Sequence, residues 1–222
     1  MMLEPPAATS PATPPSSRAM FADLLAAPGV VEHCELRSSL GFMALHGGLE
    51  ASTFEIASAC AAAAGASLYA VVQPGDLTWH VPSHRYSLAD SDALRSFCAH
   101  VDVAISLHGY GGVRDSDQRW LTIVLGGGDR DRAASLGASL RAALPDYVVI
   151  DDLEAIPPEY RGIHPDNPVN RCRGGGVQIE LPPRVRGTSP VWAGHDFERE
   201  PFVPHTRALI DALVATAGSL DR

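Results

Sequence analysis

The stretch Gly41-Phe42-Met43-Ala44-Leu45-His46-Gly47-Gly48-Leu49-Glu50 decides the fold of this chain. Its apolar first half is typical of a strand, and it ends abruptly in His-Gly-Gly with a carboxylate close behind. Residues 101–107 form a second apolar run that ends in His108-Gly109, and residues 176–180 form a third that ends in Glu180. Each run therefore places a metal-binding or acid/base side chain at a carboxyl end, the edge where open α/β sheets bind ligands.

Around these runs, strand-like segments alternate with helical segments. Turn residues and helix caps separate them, and the pattern predicts helices over 20–27, 53–64, 91–100, 130–143 and 204–217, and strands over 34–36, 42–45, 67–72, 101–107, 120–125, 147–150 and 177–181. Such alternation predicts an α/β fold with a mixed, mostly parallel sheet flanked by helices on both faces. Residues 1–17, rich in Pro, Ala and Ser, predict a disordered tail, and residues 18–222 are expected to form a single domain.

Composition excludes several classes of protein. The chain has 222 residues, a net charge of −9 and a pI of about 5.4, whereas a nucleic-acid-binding surface is basic. It contains no apolar run of the ~18 residues that a membrane span requires, and its first residues lack the pattern of a signal peptide. We therefore expect no nucleic-acid or membrane partner and a cytoplasmic location. The four cysteines show no CxxC spacing and are expected to be reduced thiols.

The chemistry of the strand ends points to a metal centre. Two histidines and one glutamate are the protein ligands of a catalytic zinc that keeps its fourth position open, so His46, Glu50 and His108 are candidate ligands. Glu180 lies on an otherwise apolar strand, where an unpaired carboxylate is costly, and it is a candidate general base. The alternatives are a hydrogen-bonded core role for His108, and a Glu50 that favours a helix N-terminus through the macrodipole.

Two further positions, Arg171 and His84, bear on the candidate site. Arg171 precedes a Gly-rich loop, where a guanidinium can hold a substrate carboxylate or polarise a scissile carbonyl. The alternatives are that Arg171 is a surface residue, and that Glu180 forms a salt bridge with Arg171 or Arg173. His84 follows a proline-containing loop and is expected to line the substrate cleft.

The order of these motifs resembles the poly-γ-glutamate hydrolase family, first known from bacteriophage enzymes. The resemblance covers roughly residues 30–185 and is carried, in order, by 46–50, Ser83-His84, 106–109, Asn167-x-x-Asn170-Arg171 and 176–180. The family's fold is similar to that of zinc carboxypeptidases. The resemblance implies one Zn²⁺ held by His46, Glu50 and His108, with Glu180 as base and with Arg171 and Asn170 in contact with the substrate. The family spaces its first His and Glu one residue further apart, which leaves Glu55 as an alternative ligand.

These features predict a zinc-dependent hydrolase that cleaves amide bonds of γ-glutamyl or similar peptide-like substrates. A metal-activated water would attack the amide, and a glutamate would act as general base. Two alternatives stay open at this point: an N-acyl amino acid deacylase on the same scaffold, and a non-catalytic metal-binding module.

Overall fold

The computed structural model describes residues 20–111 and 120–220, and its strands form one seven-stranded sheet with the order β1-β3-β2-β4-β7-β5-β6. The strands are β1 (Val31–Glu35), β2 (Leu40–Gly47), β3 (Ser67–Val72), β4 (Val103–Gly109), β5 (Thr122–Gly126), β6 (Val148–Ile150) and β7 (Gly176–Leu181). The helices are α1 (Phe21–Leu25), α2 (Thr53–Ala64), α3 (Asp92–His100), α4 (Arg130–Ala143) and α5 (Pro204–Leu220).

The sheet is mixed and mostly parallel, as predicted. Strands β3, β2, β4 and β7 run parallel to one another in that order, and β6 runs parallel to β5. The two antiparallel pairs are β1 with β3 and β5 with β7. Because β2, β4 and β7 are parallel neighbours, their carboxyl ends meet at one edge of the sheet.

Helices cover both faces of the sheet, which confirms the predicted fold class. Helices α2, α4 and α5 contribute Ile56, Leu136 and Leu213 to the core on one face. Helices α1 and α3 contribute Phe21 and Phe97 to the core on the other face. All five side chains are fully buried, and burial of each contributes about 1.5–3 kcal/mol of transfer free energy.

Local signals in the sequence account for the helix boundaries. Ser91 Oγ accepts a hydrogen bond from the Leu94 amide at the N-terminus of α3, and the Asp129 carboxylate accepts one from the Arg132 amide at that of α4. Helix α2 ends at Gly65, which adopts a left-handed φ of 62° that glycine tolerates well. These caps account for the predicted start of α4 and the predicted end of α2.

The remaining predictions concern the cysteines, membrane-spanning helices, the N-terminal tail and the number of domains. The four cysteines are free thiols, as expected. No helix within residues 20–111 and 120–220 has the length and apolar character of a membrane span. The tail predicted over residues 1–17 lies outside the described residues, and the single domain over 18–222 stays a prediction.

Candidate active site

The three strand ends bring His46, Glu50 and His108 together. Their ligand atoms all lie within 4.8 Å of one another. Glu50 bridges the two rings, with Oε1 2.8 Å from His46 Nδ1 and Oε2 3.4 Å from His108 Nδ1. Both histidines are buried, and Glu50 is largely so. The cluster predicted from spacing is therefore a compact set of two imidazoles and one carboxylate.

A tight turn after β2 carries Glu50 back to the strand end. The Glu50 amide donates to the His46 carbonyl at 2.8 Å, and Gly48 sits in the turn with φ of 77°. The Gly109 amide then donates to Glu50 Oε2 at 2.9 Å, which ties the carboxylate to the end of β4. The alternative ligand, Glu55, is exposed on α2 and is not part of the cluster.

An irregularity in β2 determines the face on which His46 lies. Three residue steps of β2, from Ala44 to Gly47, pair with only two steps of β3. An extra residue of this kind, a β-bulge, reverses the alternation of side chains. Phe42 and Ala44 accordingly face the α2 side, whereas the His46 ring lies 5.0 Å from that of His108 on the opposite face.

The outer nitrogen of each candidate ligand histidine has a hydrogen-bond partner. His46 Nε2 lies 2.9 Å from the Val81 carbonyl, and His108 Nε2 lies 3.1 Å from Ser106 Oγ. A carbonyl only accepts, so His46 Nε2 donates to Val81, and Nδ1 is the nitrogen that faces Glu50 and would be available to a metal ion. Such outer partners orient metal-binding histidines. Two Nδ1 atoms and a carboxylate, each held in this way, fit the donor set of a zinc site.

Glu180 lies directly beside this cluster. It is paired with His108 across the parallel β4–β7 ladder and is only 6% exposed. Burial, reinforced by the negative charge of Glu50, raises the pKa of Glu180 above its usual range, although His108 opposes the shift. The alternative of a salt bridge to Arg171 or Arg173 is wrong, because these side chains pair with Asp166 and Asp102 instead.

The charges of the cluster stabilise one another. Burial raises the pKa of Glu50, but the two imidazoles outweigh it and hold that pKa well below its usual range. Burial lowers the pKa of His108, and Glu50 more than offsets this, so the net shift is upward. A buried Arg186 lies behind the site and donates to the carbonyls of Leu181, Tyr110 and Ala51.

The cluster opens into a cavity of about 690 Å³. His46, Glu50, His108 and Glu180 line it, and His84 lines it as predicted. His80 and His164, to which sequence reasoning assigns no role, also line the cavity. A cavity lined by a metal-type cluster and an adjacent buried carboxylate is suited to hydrolysis.

The structure does not bring Asn170 and Arg171 to this cavity. Asn170 braces a loop: its Oδ1 accepts from the Gly128 amide, and its Nδ2 donates to the Gly162 and His164 carbonyls. The Arg171 guanidinium lies 3.1 Å from Asp166 Oδ1 and lines a neighbouring groove. His84 lines both the groove and the cavity, so it marks where they adjoin.

Sequence reasoning missed several residues that build the site. Gln178 bonds to Glu180, and its place two residues earlier on the same strand, and so on the same face, was an available signal. Asn167 is bonded to Gln178 from an irregular loop. Arg186 lies five residues beyond β7 in an irregular segment, where no periodic pattern indicates burial.

The fold and the site are those expected of a metal-dependent hydrolase, because two histidines and a glutamate lie close enough together to hold one metal ion. The sequence model of the Poly-gamma-glutamate hydrolase family matches residues 25–189. The chain therefore belongs to that family and is a hydrolase.

Solved structures agree on the fold. A bacteriophage poly-gamma-glutamate hydrolase superposes with a TM-score of 0.68 at 19% identity, covering 86% of this chain and 89% of that one. The zinc-free apo form of YNDL gives 0.68 at 25% identity, with 86% and 90% coverage. The Atu2144 product of Agrobacterium tumefaciens gives 0.52 at 11% identity, with 86% and 96% coverage. Among curated proteins, no sequence matches this chain.

Proposed function

We propose that this protein is a zinc-dependent hydrolase that cleaves amide bonds of γ-glutamyl or similar peptide-like substrates. The observation that carries the proposal is the cluster of His46, Glu50 and His108, with ligand atoms within 4.8 Å of one another, next to the buried Glu180. Membership of the poly-gamma-glutamate hydrolase family supports the choice of substrate. The open cavity beside the cluster supports a catalytic role rather than a structural one.

In this proposal one set of residues holds the metal and another residue transfers the proton. His46, Glu50 and His108 hold the zinc, which when bound lowers the pKa of a coordinated water and polarises the amide carbonyl. Glu180 takes the proton from the attacking water and passes it to the leaving nitrogen. Its raised pKa in the buried site suits a group that must both accept and return a proton.

We assign residues to the substrate from the cavity and the neighbouring groove that they line. We assign His84 to the substrate, since it lines both the cavity and the groove. Arg171 lies in the groove, so we assign it to a distal carboxylate of the substrate rather than to the scissile carbonyl. The side-chain amide of Asn170 forms hydrogen bonds with three backbone groups, so its role is to stabilise the loop that carries Arg171.

Metal content tests the centre directly. Elemental analysis of the purified protein is expected to give about one zinc per chain. His108→Ala is expected to lose it, because one of three ligands is gone. His195→Ala is the matched control, since the His195 ring contacts the Glu200 carbonyl and Phe197 and does not line the cavity. A wild-type protein that binds no zinc after zinc is supplied would overturn the proposal.

Substrate comparison tests the chemistry. Zinc-loaded protein is offered γ-glutamyl amides, the matching α-glutamyl amides and N-acyl amino acids. Preferential cleavage of the γ-glutamyl compounds is the expected result. Cleavage of N-acyl amino acids alone would instead indicate a deacylase, and bound zinc with no turnover of any amide would indicate a non-catalytic module.

A further inference from the structure

A continuous chain of buried amides leads from a loop to Glu180. Asn167 Nδ2 donates to the Gly162 carbonyl at 3.2 Å and to Gln178 Oε1 at 2.7 Å. Gln178 Nε2 donates in turn to Glu180 Oε1 at 2.8 Å. Asn167 and Gln178 are 2% and 4% exposed, so these bonds form away from water. We call Asn167 and Gln178 together the amide relay.

Backbone groups set the direction of the amide relay. The Gly162 carbonyl only accepts, so the Asn167 side chain must turn its NH₂ toward it, while Asn167 Oδ1 accepts from the Val169 amide at 3.4 Å. The NH₂ group has two hydrogens, and the second goes to Gln178. Gln178 must therefore present its oxygen to Asn167 and its NH₂ to Glu180. A side-chain amide without these fixed partners would have no preferred orientation.

Packing holds the same orientation. Gly162 adopts φ of 61°, and a Cβ built on it would lie 2.6 Å from both Cδ and Oε1 of Gln178. The loop backbone thus rests directly against the amide plane, which leaves Gln178 little room to rotate. Gln178 precedes Glu180 by two residues on β7, so both side chains lie on the same face of the strand.

We infer that Asn167 and Gln178 are positioning residues for Glu180 in the proposed hydrolysis. The amide relay binds Oε1 as a hydrogen-bond donor, which fixes the plane of the carboxylate and leaves Oε2 as the oxygen that meets the water. A donor also favours the ionised carboxylate, the form that accepts a proton. The positioning role rests on the proposed function, because it concerns the reaction in which Glu180 is the base. The direction of the hydrogen bonds in the amide relay follows from the contacts alone.

Two variants interrupt the amide relay at different points. Asn167→Asp keeps the shape but removes both N–H donors, and Gln178→Met keeps the volume but removes the amide. Each is expected to lower kcat roughly 10- to 100-fold, as loss of an outer partner does at metal sites, with KM within about twofold and zinc content unchanged. In the amide relay Asn167 reaches Glu180 through Gln178, so the double variant is expected to be no slower than Gln178→Met alone.

A control separates positioning from loss of stability. Thr206→Val removes a buried hydrogen bond to the Val185 carbonyl on the α5 side, far from the cavity lining. It is expected to lower the unfolding free energy while leaving kcat intact. Additive losses of kcat in the two relay variants, or full kcat in Asn167→Asp, would overturn the inference.

A second readout does not depend on turnover. In the metal-free protein, NMR is expected to show that the Gln178 side-chain amide protons exchange slowly with solvent, and that Asn167→Asp abolishes this protection. Fast exchange in the wild type, or unchanged protection in Asn167→Asp, would overturn the amide relay itself. If the zinc-loaded wild type cleaved no amide, the proposed function would fail, and this exchange measurement would still decide whether the amide relay exists.

Discussion

Replacing Gly48 with alanine is expected to weaken zinc binding at the proposed site, because the added methyl group displaces the backbone that carries Glu50. Gly48 lies between two ligands, in the turn that returns Glu50 to His46. A Cβ at this position would lie 2.1 Å from the Gln73 carbonyl oxygen, far inside contact distance. Gln73 cannot simply withdraw, because its amide donates to the Gly47 carbonyl at 2.9 Å and its side chain bonds to the backbone of Trp79.

A second glycine supplies the matched control. Gly65 at the end of α2 has a similar positive φ, 62° against 77° for Gly48, but a Cβ there would meet nothing within 4 Å. A left-handed alanine costs roughly 1–2 kcal/mol at either position. The collision with Gln73 adds about 1–3 kcal/mol, the usual range for overpacking. Gly65→Ala should therefore lower the unfolding free energy by about 1–2 kcal/mol, and Gly48→Ala by about 2–5 kcal/mol.

Urea unfolding of the metal-free variants measures the difference. Both replacements restrict the unfolded chain equally. The difference between the two losses of unfolding free energy therefore measures the cost of the collision with Gln73. Zinc titration then tests the site: Gly48→Ala is expected to bind zinc at least ~10-fold more weakly, and Gly65→Ala to bind it normally. Equal losses of stability within about 0.5 kcal/mol, or normal zinc affinity in Gly48→Ala, would refute the reasoning.

Three further predictions concern the charged groups. Glu180→Gln is expected to lower kcat by roughly 10²- to 10⁴-fold while keeping zinc, and full activity with bound zinc would exclude Glu180 as the base. Zinc at 100 times its Kd is expected to stabilise the wild type by about 2.7 kcal/mol in thermal or urea unfolding, and to have no such effect on His108→Ala. Without metal, the raised pKa of Glu180 means that its contribution to stability is greatest below its unfolded pKa of about 4.3 and is lost as pH rises through the folded pKa. Metal-free Glu180→Gln should therefore gain stability over the wild type between acid and neutral pH, and a pH-independent difference in urea unfolding would contradict this.

The parts of the fold that were predictable are those with local causes. Helix α2 and strand β3 have the predicted boundaries, because Gly65 ends the helix and a short branched run follows. His108 and Glu180 were placed correctly at strand ends because a polar residue that closes an apolar run is visible in the sequence. Parallel pairing of β4 with β7 then brings them side by side without any further information.

The parts that could not be predicted depend on contacts between distant segments. The β-bulge that turns His46 toward His108 appears only in the pairing of β2 with β3. The Val81 carbonyl that orients the His46 ring comes from a loop 35 residues away. The surroundings of Arg171 also depend on such contacts, since the loop fold pairs it with Asp166, a contact that no local pattern in the sequence indicates.

The charge balance of the described site itself favours a bound cation. Glu180 is buried and Glu50 is largely buried, and the negative charge of Glu50 disfavours the ionised form of Glu180. Arg186 is the nearby buried counter-charge, but its guanidinium is already bonded to three backbone carbonyls, and Gly109 packs against it where a side chain would collide. Protonation of His108 relieves the imbalance only by occupying a ligand atom. His46, Glu50 and His108 would hold a divalent cation whose charge would compensate both carboxylates, so we expect the stability of the fold and its affinity for metal to be linked.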